Sequence, residues 1–241
     1  MNSFLRTLLV GASCGSIAIA DANVVYSRIV ESNLRANANN PGFFGPGDIG
    51  SQTRINFDDV PISTTTLGTN TSVRLNSVTV GIRRGQGAAQ NNVRVWAAAM
   101  NANGMVAGSP IFLGNEILLP RTDSGFSTDL VTVSGLDQTV AANFGFSPGF
   151  GSILIGVQLS QDSLAGWRIT TGSDYNVTNF ANLYETATAT NSPYFMAETP
   201  FTSFYVSVNA TPVPESSTML ACMAGLALFA RKGLTKVSTH K

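Results

Sequence analysis

The feature that most constrains this chain is a period of two. From Ser152 to Ser160, Ile153, Ile155, Val157 and Leu159 fall on alternate residues, and an extended strand puts such a set on one face. Val73 to Arg83 repeats the pattern with Val73 and Leu75, then Val78, Val80 and Ile82; the phase changes at Asn76-Ser77, which predicts a bulge. Thr53–Val60, Val93–Met100, Ile111–Leu119, Phe126–Val133, Gly166–Thr170 and Ser203–Ala210 also read as strands. Turns rich in Gly, Asn and Pro separate them, such as Arg84–Asn92, Asn101–Pro110 and Gly149–Gly151. No window of useful length carries a helical period. The pattern predicts an all-β fold, an antiparallel β-sandwich of about eight to ten strands, jelly-roll-like. Val24–Val30 reads as a first strand or a short helix. Asn37–Gly50 reads as a loop pinned to the core by Phe43 and Phe44, and Tyr175–Phe201 as a long surface loop or an irregular edge.

The two ends of the chain differ from this body. Residues 1–20 have the form of a secretory signal peptide, predicted as a helix: Arg6 is the positive start, and Leu8 to Ala20 is apolar or small. Ala18-Ile19-Ala20 offers a small-x-small site with cleavage after Ala20, and Ala20-Asp21-Ala22 is the second choice. Cys14 raises a lipoprotein alternative, although Gly11 stands where a lipobox has a branched apolar residue. At the other end, Val213-Pro214-Glu215-Ser216-Ser217-Thr218 precedes an apolar run, Met219–Ala230, predicted as a short helix. A basic end at 231–241 with Arg231, Lys232, Lys236 and Lys241 follows. Twelve helical residues span about 18 Å against a bilayer core of about 30 Å. That marginal length suits a transient inner-membrane anchor, with the body outside because the basic residues follow the run.

Between the ends, residues 21–212 form one predicted β-sandwich domain. Cys14, Cys222 and His240 all lie outside it, so this body has neither cysteine nor histidine. Ser-His-Asp and Cys-His catalysis and zinc sites built on these residues are excluded, and the domain is held by its core and ladders without disulfides. Every lysine is in the tail. The body carries nine arginines against 13 acidic residues, a net charge of −4, which gives no electrostatic footprint for nucleic acid. Arg83-Arg84 reads as a solvated strand end.

The order of motif, apolar run and basic end resembles the PEP-CTERM sorting signal of Gram-negative bacteria, with Ser216 in place of that signal's second proline. The resemblance covers the tail. It implies passage through the export translocon, recognition by an exosortase-type peptidase, and release or re-anchoring at the surface of a cell that makes exopolysaccharide. The stretch Phe57-Asp58-Asp59, Leu75-Asn76-Ser77-Val78-Thr79-Val80, Val93-Arg94-Val95-Trp96 and Gly108-Ser109-Pro110 is similar to bodies found ahead of such tails. This implies a sandwich rather than an activity.

The expected role is therefore structural or adhesive, at the cell surface or in the extracellular matrix. The alternative is a carbohydrate-binding module of the exopolysaccharide matrix; a glycan-acting enzyme comes third. For sugar stacking, Trp167 with Arg168 is the first surface candidate. Trp96 lies out of phase with Val93 and Val95, on an outer face or in a second layer. Tyr175, Tyr184 and Tyr194 are the remaining rings, and core packing is the other use of such residues. For hydrolysis the carboxylates are Glu116, Asp129, Glu185 and Glu198, with no motif selecting a pair. No cofactor is expected. Calcium, which takes oxygen ligands only, fits the residue types, through Asp58 and Asp59 with loop carbonyls of Asn39–Asp48, or through Asp162 and Asp174; solvated turn aspartates are the other reading.

Overall fold

Strand pairs in this protein are nested. The computed structural model describes residues 23–27, 43–44, 54–85, 90–121, 127–145, 148–160, 165–171, 180–186, 188–195 and 202–214. In chain order the central strands are β2 (Phe43–Phe44), β3 (Arg54–Ser63), β4 (Ser72–Arg84), β5 (Asn91–Met100), β6 (Val106–Leu119), β7 (Ser127–Ala141), β8 (Phe150–Leu159) and β9 (Ala165–Thr171). They pair antiparallel as β5–β6, β4–β7, β3–β8 and β2–β9. Successive pairs alternate between two sheets: β2, β9, β4 and β7 belong to the first, and β3, β8, β5 and β6 to the second. A long ribbon wrapped in this way is a jelly roll. Three further strands extend the first sheet: β1 (Asn23–Ser27), β12 (Thr202–Phe204) and β13 (Val206–Val213). The second sheet gains β10 (Phe180–Glu185) and β11 (Thr190–Phe195).

The inner faces carry the core that the alternation predicts. Ile153, Ile155, Val157 and Leu159 of β8 all point inward, against Val78, Val80 and Ile82 of β4 and Val206 and Val208 of β13. Each such side chain contributes about 1.5–3 kcal/mol on burial. The predicted bulge is present: the β4–β7 register shifts between Leu75 and Ser77, and the β4–β13 register shifts beside it at Asn209/Ala210. The extra residue lets β4 resume with Val78 inward.

Strand β3 changes allegiance along its length. Ile55 and Phe57 join a second apolar cluster on the outer face of the second sheet, with Ala98, Met100, Val106, Leu154 and Tyr184. Val60 and Ile62 belong to the inner core.

Several boundaries differ from the sequence reading. The turn after β5 is only Asn101–Met105, where the Asn101 carboxamide oxygen accepts the N–H groups of Asn103 and Met105 at 2.9 and 3.0 Å. Gly108-Ser109-Pro110 therefore lies within β6, as three residues set against Ala98 alone between the Ala97–Ile111 and Ala99–Ala107 pairs. A bulge at a sheet edge accommodates both glycine and proline. The segment read as a loop or irregular edge contains the β10–β11 hairpin, with Pro193 in the outermost strand. The first segment is a strand, β1, paired with β13. Among the described residues no helix is long and apolar enough to cross a membrane. The segment read as a signal peptide, with Ala18 and Ala20, and the tail from Glu215 onward, with Arg231, Lys232 and Lys236, lie outside the described residues.

Candidate functional site

The first candidate for sugar stacking is inside the protein. Trp167 has no exposed surface. Its ring stacks on Phe204 with centroids 4.1 Å apart and planes 21° from parallel, and its indole N–H donates to the Tyr205 carbonyl at 3.2 Å. The same carbonyl accepts the Gly81 N–H at 2.9 Å. Glycine is required there because a Cβ would collide with the Tyr205 ring. Trp167 is thus a packing residue at the junction where β12 passes into β13. Of the two readings that the sequence leaves open for it, surface stacking after a glycine and loop or packing in the core, the second holds. Its neighbour Arg168 pairs through the backbone with Phe43.

Asp58 serves that same junction. Its carboxylate Oδ2 accepts the buried N–H of Phe204 at 3.0 Å, reaching from the second sheet to the first. Successive residues of a strand point to opposite faces, so Asp59 is directed to the outer side of the sheet. The two aspartates do not converge on one ion, which corrects the pairing proposed for calcium. Among the described residues no group of three or more His, Cys, Asp or Glu side chains is placed to hold a metal. Asp162, Asp174 and the Asn39–Asp48 carbonyls, apart from those of Phe43 and Phe44, lie outside those residues.

Arg83 and Arg84 are buried rather than solvated. Arg84 binds the Asp129 carboxylate at 2.6 Å and the Pro120 carbonyl, which clamps the end of β4 to β7 and to the end of β6. Burial lowers the affinity of the Arg83 guanidinium for its proton. Asp129 is thereby engaged on the first sheet. Glu116 is engaged on the second, by Arg94.

Trp96 is the candidate that the fold brings to the surface. It lies on the outer face of the second sheet, half-buried, packed against the Ile55–Phe57 cluster. A single row crosses four strands here: Phe57 pairs with Gly156, Gly156 with Trp96, and Trp96 with Phe112. Gly156 must lack a side chain, because a Cβ would sit 2.5 Å from the Phe57 ring and 2.7 Å from Ile55 Cγ2. Phe57 and Ile55 therefore close over the sheet at that point. Tyr184 meets Phe57 edge-on, with centroids 6.4 Å apart. At the open end of the row, Phe112 is 37% exposed, and its ring lies 5.2 Å from that of Trp96, tilted by 44°. The Trp96 indole N–H is buried without a hydrogen-bond partner.

A polar group adjoins this aromatic pair. Arg94 shares the outer phase of Trp96 and pairs across with Gln158. Gly114-Asn115-Glu116 stands opposite Arg94 alone, between the Val93–Ile117 and Val95–Leu113 pairs. That bulge, with Gly114 at φ 65°, turns Glu116 back onto the sheet. There its carboxylate accepts from Arg94 Nε at 2.5 Å and from the Asn92 carboxamide. A pocket of about 40 Å³ opens beside them, lined by Asn92, Arg94, Gln158, Leu159 and Ser160. Trp96 and Glu116 each stand out in the sequence as single candidates; their neighbours Asn92, Arg94 and Gln158 do not. The available signal was the shared phase of Arg94 and Trp96.

Comparison with known proteins adds little. No family model matches the sequence, and no curated protein matches it. One solved structure is similar in part: the cysteine protease and lectin-like domains of Cwp84, a surface layer associated protein of Clostridium difficile. The identity is 13% and the TM-score 0.39, over 67% of this chain and 32% of that one. At this distance nothing about the present chain is taken from that protein.

Proposed function

We propose that this protein is exported, sorted by its C-terminal segment, and retained at the cell surface or in the extracellular matrix as a structural or adhesive component. The observation that carries the reading is the junction at Val213. Strand β13 ends at Val213, which pairs with Ser72 in the interior of the first sheet. The sorting motif runs on from that residue. The domain therefore keeps its last strand, and everything after Pro214 can be removed without breaking a described ladder. A cut before Val213 would take away part of β13, so processing is expected within Glu215–Thr218.

Intact mass of the protein recovered from its host, with cells and medium separated, tests this. A mass ending within Glu215–Thr218 and starting after Ala20 or Ala22, in protein outside the membrane, is the expected result. A full-length C-terminus retained in the inner membrane overturns it and makes the tail a plain anchor.

A further inference from the structure

We propose that the outer face of the second sheet, at Trp96 and Phe112, is a binding site for a neutral hexopyranose unit of a polysaccharide. The site combines two kinds of surface that a sugar needs. A pyranose with equatorial hydroxyls presents axial C–H groups on its faces, and these pack on aromatic rings. Trp96 and Phe112 supply adjoining rings, with Phe112 open to solvent. The rim of the same sugar presents hydroxyls that need planar donors and acceptors. Arg94, Glu116, Asn92 and Gln158 stand next along the strands on the same face. A single β-bulge delivers Glu116 to Arg94, and such distortions re-aim side chains at sites of function.

Size and charge narrow the ligand further. The pocket beside Arg94, about 40 Å³, has room for one hydroxyl or hydroxymethyl group. It does not admit a whole ring, so the sugar lies on the face and inserts only a substituent. Arg94 is neutralised by Glu116 at 2.5 Å, and residues 21–212 carry a net charge of −4. Neither the site nor its surroundings attract a polyanion, which favours a neutral chain over a uronic acid polymer.

This proposal deepens the adhesive reading by naming what is adhered to, and it is tested independently of the sorting step. The chain has two tryptophans, and Trp167 is sealed in the core, so a saccharide-induced change in emission reports Trp96. The full chain in detergent micelles is titrated with cellohexaose, laminarihexaose and, as an acidic comparison, an alginate hexamer. Saturable binding of a neutral hexaose is expected. Phe112→Ala and Arg94→Ala should each weaken it about tenfold, the scale of one lost stacking or hydrogen-bonding contact. Leu130→Ala, on the exposed face of β7 in the other sheet, should leave it unchanged. Phe112 and Arg94 are exposed, so both variants are expected to fold; a folded variant retains the emission of Trp167. No saturable binding of either neutral hexaose overturns the proposal. So does binding equally strong in both variants, or binding of the alginate hexamer alone. Binding lost in the variants of a protein that keeps its full-length tail in the host would sink the sorting reading and leave this one standing.

Discussion

Around Trp167 the indole N–H has found a backbone carbonyl, the ring has a stacking partner, and no surface is left to solvent. Around Trp96 the N–H has no acceptor, the ring is half-buried, and its neighbour Phe112 is open. Both tryptophans lie on strands of the same jelly roll, Trp167 on the inner face of the first sheet and Trp96 on the outer face of the second. A large aromatic facing inward completes the core. One facing outward, beside a bulge and an ion pair, leaves apolar surface and a polar donor in reserve. Residue type does not separate the two cases; strand phase does.

The sharpest way to break this contrast is to truncate each ring. Trp167→Ala is expected to cost about 3–5 kcal/mol, since a fully buried aromatic is lost and a cavity remains. Trp96→Ala should cost about 1–2 kcal/mol because less area leaves water on folding. Urea unfolding midpoints of the two variants measure the difference; equal losses would abolish the division between core and reserve.

The junction next to Trp167 offers a finer test. Asp58→Ala strands the buried N–H of Phe204, at a cost of about 1–3 kcal/mol, and hydrogen exchange at that amide should accelerate. An unchanged exchange rate would mean that Asp58 does not hold the two sheets together there. The smallest effect belongs to the surface. Arg74 and Asp137 form a 3.6 Å pair with side chains 52% and 83% exposed, so Asp137→Asn should change stability by no more than about 0.5 kcal/mol.

Much of the fold was legible because core strands of a sandwich must alternate. The sets on β4, β8 and β13 announced their buried faces, and Asn76-Ser77 announced its bulge. Hairpin β10–β11 was not legible: Thr190 to Phe195 reads TNSPYF, too polar and proline-broken to alternate, and among the described strands it pairs with β10 alone. Strand pattern alone leaves Trp167 open between a surface and a core role, because its burial comes from Phe204 and Tyr205, nearly forty residues later in the chain. The outer site was half legible. Arg94 and Trp96 share a phase, but Glu116 reaches Arg94 only through a bulge, and a bulge in an edge strand leaves no mark in an alternation pattern that is already weak.

The pairing of β1 with β13 joins Asn23 to Ala210, so the first sheet is closed by strands from opposite ends of the domain. Pairings over such separations form late and slowly, because the loop must close before any contact rewards it. On a chain that emerges N-terminus first, β1 and the edge of β4 wait unpaired until Val206–Val213 arrives. The last strand to arrive completes the first sheet, and the residue that ends it, Val213, is the first residue of the proposed sorting motif. Completion of the fold and presentation of the tail thus become a single event, and a chain stalled short of that point would be left with two open strand edges to mark it as unfinished.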